Sequence, residues 1–149
     1  NRDSLRPRVG AGNPFSKRYL RAGGTRDDVR DADWVSGAAL VHRRSLAAAL
    51  GGLDEQFFMY CEDVDFCYRA AKAGSRVRYL PLVTLRHEIG GSSGRVKRAM
   101  IDARHDSLWR YYRKHYRRNP LKDAAAYGGI ALRRRWLLLY DALGGRRVK

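Results

Sequence analysis

Glu62, Asp63 and Asp65 stand within four residues, directly after the aromatic approach Phe57-Phe58-Met59-Tyr60. Carboxylates are among the side chains least often buried without a partner. A sequence that sets three of them at the end of an apolar run has a use for them, and one such use is general base chemistry. A general base must reach the proton it removes and must be ionised at working pH. A helix N-terminus favours the charged carboxylate, while neighbouring acids raise one pKa and make a stronger base. Further along, an extended segment broken by Pro81 ends in His87. An acidic helix start followed by a histidine suits chemistry on a metal-bound, phosphate-bearing substrate. A phosphate-bearing substrate needs its charge neutralised, usually by Mg²⁺ or Mn²⁺ with few protein ligands. One histidine with acids from another segment is an acceptable donor set for Mn²⁺.

Each of these residues also has a plainer reading. Acids in a first helical turn serve as dipole partners and caps. A lone histidine after a strand is often structural. Trp34 and the Phe57-Phe58 pair are core residues by default, and Gly37, Gly51 and Gly52 suit turns or close packing.

The elements that must position these groups follow from caps, breakers and periodicity. Residues 1–33 are rich in Arg, Gly and Asp and read as a long loop, with a short helix near Pro14–Arg21. Trp34–Val41 is apolar and small, which predicts a buried strand. Ser45 is a candidate N-cap for a short helix over Leu46–Leu50, stopped by Gly51-Gly52. A helix is predicted from Glu62 to Lys72 or Ala73, with Gly74 just beyond it. Val77–Leu80 and Leu82–Leu85 read as extended. Ser93 is placed to cap a long helix from Arg95 to Arg118, ended by Pro120, and a second helix follows from Leu121 to Leu143. The order is that of the second half of an α/β sheet domain with a helical extension.

The net charge of +16 is unevenly spread. Residues 1–50 hold ten basic and five acidic side chains, residues 51–94 five and six, and residues 95–149 sixteen and four. The motif-bearing middle is therefore near neutral, and the excess lies in the flanks. A basic tail calls for an anionic partner: nucleic acid, anionic lipid or a phosphorylated substrate. Arg133-Arg134-Arg135 abuts Trp136-Leu137-Leu138-Leu139-Tyr140, a pattern suited to a membrane surface as well as to a solvated helix face. A nucleic-acid module would carry basic residues through its ordered core, so that reading ranks behind the other two. Cys61 and Cys67 form no CxxC or Cys-His cluster, which argues against zinc. No apolar run approaches the roughly 20 residues of a membrane span. The chain begins at Asn1, and its only methionines are Met59 and Met100, so it reads as a piece of a longer protein.

Taken in order, Trp34-Val35-Ser36-Gly37-Ala38, Gly51-Gly52-Leu53-Asp54-Glu55-Gln56-Phe57-Phe58-Met59-Tyr60, Glu62-Asp63-Val64-Asp65, Arg69, Gly74, Pro81 and His87 resemble glycosyltransferase family 2. The likeness is to its rhamnosyltransferase-type members, which build bacterial surface polysaccharides. It is close over residues 33–93 and looser along the helix carrying Ser107, Tyr111 and Lys114. The resemblance implies a GT-A fold and an inverting transfer of a sugar from a nucleotide-diphosphate sugar. The acceptor would be a hydroxyl of a glycan or polyprenyl-linked glycan. It puts Asp63 at the catalytic base, with Glu62 in support. Trp34, Gly37 and Asp65 fall on the acceptor side, and His87 on a ligand of the Mg²⁺ or Mn²⁺ that holds the diphosphate.

The family's nucleotide-binding half, with its Asp-x-Asp motif, has no counterpart here; Asp31-Ala32-Asp33 lies on the wrong side of the family order. The resulting expectation is an α/β chain in three parts. A basic loop-rich segment spans 1–33, the acceptor and catalytic half of a GT-A domain spans 34–93, and a basic helical extension spans 94–149. Alone, this part is expected to be inactive. The whole enzyme is expected to be cytoplasmic, peripheral on the plasma membrane's cytoplasmic face. A non-enzymatic basic module binding anionic membrane or nucleic acid is the alternative.

Overall fold

The computed structural model describes residues 28–86, 97–117 and 119–143. Over these residues the chain is mainly helical, with one two-stranded sheet. Strand β1 (Arg30–Asp31) pairs antiparallel with β2 (Arg78–Tyr79), setting Arg30 opposite Tyr79 and Asp31 opposite Arg78. The pair is closed by side chains. The Arg30 guanidinium lies 4.4 Å from the Tyr79 ring centroid, and Asp31 accepts from Arg76 at 2.9 Å and from Arg78 at 3.4 Å. The hydrogen bond from Arg76 is the largest influence holding the Asp31 carboxyl below its ordinary pKa. Asp31 thus faces arginines across the sheet.

Helix α1 (Arg44–Leu50) begins after Arg43, which supplies no side-chain cap; Ser45, the expected cap, lies inside the helix. Its end follows the expectation. Gly51 and Gly52 take φ of +73° and +76°, and their N–H groups return to Ala48 O and Ala47 O at 3.2 and 2.8 Å. Helix α2 (Glu62–Lys72) carries its three acids in the first turn and Arg69 and Lys72 in the last, each favourable to the helix dipole. Gly74, at φ +81°, closes it as the sequence predicts.

Helices α3 (Lys97–His115) and α4 (Pro120–Ala142) form an antiparallel-type hairpin connection. The first ends at His115, short of the expected Arg118, and Pro120 opens the second, where its missing N–H costs nothing. The Asn119 side chain accepts from Leu121 and Lys122 N–H at 3.0 and 3.3 Å, a cap the sequence reading passed over. Arg134 ties the helices together through Asp102 at 2.7 Å and Asp106 at 3.1 Å. Trp109 stacks on Tyr112 and meets Tyr127 edge-on, and the Tyr112 hydroxyl donates to Asp123 at 2.9 Å.

Several expectations are corrected. Trp34–Val41 is not a strand. Ser36 Oγ accepts from Ala38 N–H, folding Gly37–Ala39 into a 3-10 turn, and the Gly37 N–H is taken by Asp63. Trp34, expected in the core, is 40% exposed. The extended segments near Pro81 reduce to Arg78–Tyr79, and Leu82, Val83 and Leu85 are exposed. The loop expected over residues 1–33 contains β1 at its end. The expected helix near Pro14–Arg21, and Ser93, lie outside the described residues.

The core sits around α2. Phe57, Phe66, Cys67 and Ala70 are buried, and so are the polar residues Asp65, His105 and Ser107. Such polar content means that hydrogen bonds and charge pairs, rather than apolar area alone, must hold α2 against α3.

One substitution type separates the two roles of glycine here. Gly51→Ala forces a side chain into the left-handed region and is expected to cost about 1 kcal/mol. Gly129→Ala, inside α4 with no atom within 4 Å of the new Cβ, is expected to stabilise by about 0.5–1 kcal/mol. Urea unfolding of the two variants should show opposite signs.

Candidate active site

The acidic turn is set by strained backbone. Tyr60 and Cys61 both adopt left-handed φ, at 68° and 66°. Non-glycine residues in this region carry a strain of roughly 1–3 kcal/mol each, and they collect at functional sites. Here the strain is held by α3. Ser107 Oγ donates to Met59 O at 2.7 Å, and the Arg104 guanidinium lies 4.5 Å from the Tyr60 ring centroid. The chain is thereby turned sharply into α2, whose N-cap residue, Cys61, makes no side-chain capping bond.

Asp63 supplies the missing cap. Its Oδ1 accepts from the Val64 N–H at 2.8 Å, and its Oδ2 accepts from the Gly37 N–H at 2.8 Å. The 3-10 turn and the helix start are therefore joined by one carboxylate. Each oxygen keeps an acceptor site beyond the bond it makes, and the residue is only partly buried. Gly37 stands against it closely: a Cβ at 37 would lie 3.7 Å from Oδ2. A carboxylate so fixed, with acceptor capacity left, can take a proton from a hydroxyl brought beside it.

Asp65 lies on the opposite side of α2. It is fully buried. Its Oδ2 accepts from Arg69 Nε at 2.7 Å, and its Oδ1 meets Lys114 Nζ and His115 Nε2, each at 2.7 Å. Burial raises its pKa, but the hydrogen bonds from Lys114, His115 and Arg69 outweigh that and hold it below the ordinary value. The expected place of Asp65 was the acceptor side; the structure gives it a buried position with both oxygens engaged by protein.

Its partners reach further. Arg69 donates to Leu50 O and Gly52 O at 2.7 and 2.8 Å, anchoring the end of α1. Lys114 also binds Asp54 at 2.7 Å. That bond is the main reason the Asp54 carboxyl titrates low. His115 packs between Tyr68 and Tyr111, at 4.3 and 4.8 Å between ring centroids.

Glu62 sits beside Asp63 in the same turn. Its Oε2 is buried, and among the described residues it has no hydrogen-bond partner; His105 Nε2 is in the same position. The other ring nitrogen of His105 is 2.6 Å from Ile101 O. Unsatisfied buried polar atoms are rare in folded proteins and mark places where water or a ligand group belongs. The surroundings of Cys61 disfavour its thiolate. Burial, then the charges of Asp63 and Glu62, push its thiol up to about 11, and burial likewise raises Cys67.

The structure thus joins Gly37 to Asp63, sets Glu62 next to them, and sends Asp65 into the core. Trp34, three residues before Gly37, is exposed. His87 lies outside the described residues. Among the described residues, no three His, Cys, Asp or Glu side chains gather to hold a metal ion, so these acids do not make a cation site by themselves. The sequence motif includes Arg69 without giving it a role, and the sequence does not single out Arg104, His105 or His115. A signal was available: Arg104, Ser107, Tyr111 and Lys114 recur at helical spacing on one face.

Two outcomes follow from this geometry. Asp65→Asn removes the charge that Arg69 and Lys114 share, and should cost about 3 kcal/mol or more, read as a lower unfolding midpoint. The Asp65 carboxyl titrates lower folded than unfolded. The stability it contributes is therefore complete above its ordinary value of 3.8 and is lost as pH falls through the depressed native value. Acid unfolding of wild type should steepen there, and that of Asp65→Asn should not. Second, Cys61 should react with iodoacetamide at pH 8 far more slowly than an ordinary thiol of pKa about 8.5. A free-thiol rate would contradict its burial.

Comparison with known proteins places this geometry in context. Over 140 residues the chain is 33% identical to an N-acetylglucosaminyl-diphospho-decaprenol L-rhamnosyltransferase of Mycobacterium tuberculosis, covering 92% of this chain and 45% of that protein. It is 43% identical over 49 residues to a rhamnosyltransferase of Escherichia coli, covering 33% of this chain and 19% of that one. It is 30% identical over 64 residues to a low-salt glycan biosynthesis hexosyltransferase of Haloferax volcanii, 43% of this chain and 21% of that one. No family model matches the chain, and no solved structure matches it. The chain spans less than half the length of these relatives. By sequence, the chain is similar to part of rhamnosyltransferases and related glycosyltransferases.

Proposed function

We propose that this chain is the acceptor-side part of an inverting glycosyltransferase of family 2 with a GT-A fold. Its donor is a nucleotide-diphosphate sugar, with rhamnose or another hexose as the sugar moved. Its acceptor is a hydroxyl of a glycan or polyprenyl-linked glycan in cell-surface polysaccharide synthesis. The observation that carries the reading is the Asp63 carboxylate, fixed by Gly37 N–H and Val64 N–H at 2.8 Å each with acceptor capacity left over. The relatives named above support the class of reaction.

In this mechanism the acceptor hydroxyl approaches Asp63 between the 3-10 turn and the first turn of α2. Its proton passes to an Asp63 oxygen as its own oxygen bonds to the anomeric carbon. The bond from that carbon to the diphosphate oxygen breaks on the opposite face, so the configuration inverts. Glu62, with its unmatched buried oxygen, is suited to hold a second hydroxyl of the acceptor. Trp34 and Gly37 border the same approach. Asp65 acts on the acceptor side indirectly, by fixing the helix that carries Asp63. A divalent cation, Mg²⁺ or Mn²⁺, would neutralise the leaving diphosphate, with His87 as one ligand. No helix among the described residues is long and apolar enough to cross a membrane, which suits a peripheral enzyme on the cytoplasmic face.

In the whole enzyme, Asp63→Asn should keep donor binding and lower kcat by about 10²–10⁴-fold, the usual loss for a general base. Steady-state kinetics with a donor-binding titration checks this. A near-normal kcat would remove Asp63 from the base role.

A further inference from the structure

The outward face of α4 carries an apolar stripe that nothing else in the described chain covers. At 3.6 residues per turn, Leu132, Trp136, Leu139, Tyr140 and Leu143 fall within an arc of roughly 100°. All five are exposed, from 48% at Tyr140 to 85% at Leu143. The opposite face of the helix, including Arg134, packs on α3. This division separates the three consecutive arginines. Arg134 is turned inward to Asp102 and Asp106, while Arg133 and Arg135 are exposed and flank the stripe on either side. Soluble surfaces scatter their large apolar residues; a continuous stripe marks a docking face.

We infer that this face of α4 lies on an anionic lipid surface, with Trp136 and the leucines at the level of the acyl boundary and Arg133 and Arg135 on the headgroups. Three features choose this occupant. The stripe combines Trp and Tyr with Leu, the mixture favoured at membrane interfaces. Cations border it on both sides, complementary to acidic headgroups. The helix is long enough to lie flat over about 34 Å, yet not apolar enough to cross. The binding rests on this helix face alone and holds whatever the acceptor proves to be.

The test contains no donor and no acceptor, so its failure leaves the transferase reading untouched. The purified protein is sedimented with vesicles of phosphatidylcholine alone, and with vesicles about one third phosphatidylglycerol, at low and high salt. Recovery with the anionic vesicles at low salt is expected, falling as salt rises. The pair Trp136→Ser with Leu139→Ser, and separately Arg133→Glu with Arg135→Glu, should each weaken anionic-vesicle binding by about tenfold or more. All four residues are exposed, and unchanged far-ultraviolet circular dichroism would confirm that both variants fold. Equal supernatant recovery under every condition overturns the inference. So does a stripe variant that binds vesicles normally but separates a wild-type dimer on gel filtration, because a second copy would then cover the face.

Discussion

A single buried carboxylate holds this structure together. Asp65 has no solvent exposure and gathers Arg69, Lys114 and His115 at 2.7 Å each. A charge in that position is tolerable only because every oxygen is met. Through Arg69 the cluster fixes the end of α1, through Lys114 the turn at Asp54, and through Lys114 and His115 the last turns of α3. With so few apolar residues buried around α2, the position of that helix depends on this network more than on packing area.

The strained start of α2 depends on the same arrangement. The left-handed pair Tyr60-Cys61 is held by Ser107 and Arg104, which stand on the face of α3 that the Asp65 cluster presses against α2. That turn aims Asp63 at Gly37. The chemistry assigned to Asp63 is therefore supported from α3, in a part of the chain where the acidic motif itself is absent. The basic extension has two separable tasks: one face of α3 braces the acidic turn, and the far face of α4 offers itself to a surface.

Much of this was legible in the sequence, for identifiable reasons. The ends of α1 and α2 follow from Gly51, Gly52 and Gly74, because left-handed closure leaves few alternatives to glycine. The start of α4 follows from Pro120. Trp34–Val41 misled because its composition is that of a strand, whereas its backbone donors are used by Ser36 and Asp63 side chains. Propensity does not register such long-range bonds. The sequence picks out the three acids together, and the resemblance puts Asp65 on the acceptor side with Trp34 and Gly37, whereas the structure buries it. Residues two apart on a helix point about 200° apart, and Arg69 lies one turn beyond Asp65. Those two facts already put Asp65 on the side away from Asp63. The unmatched atoms of Glu62 and His105 leave no trace in sequence, since they arise only when α2 and α3 meet.

The central claim is that the brace from α3 acts through Asp63. A double-mutant cycle in the whole enzyme tests it most directly, comparing kcat for Lys114→Met, Asp63→Asn and the pair, all confirmed as folded. If Lys114 serves by holding the acidic helix, Lys114→Met lowers kcat in the wild-type background and has little further effect once Asp63 is Asn, because residues acting as a unit are strongly non-additive. Full multiplication of the two losses would contradict the account.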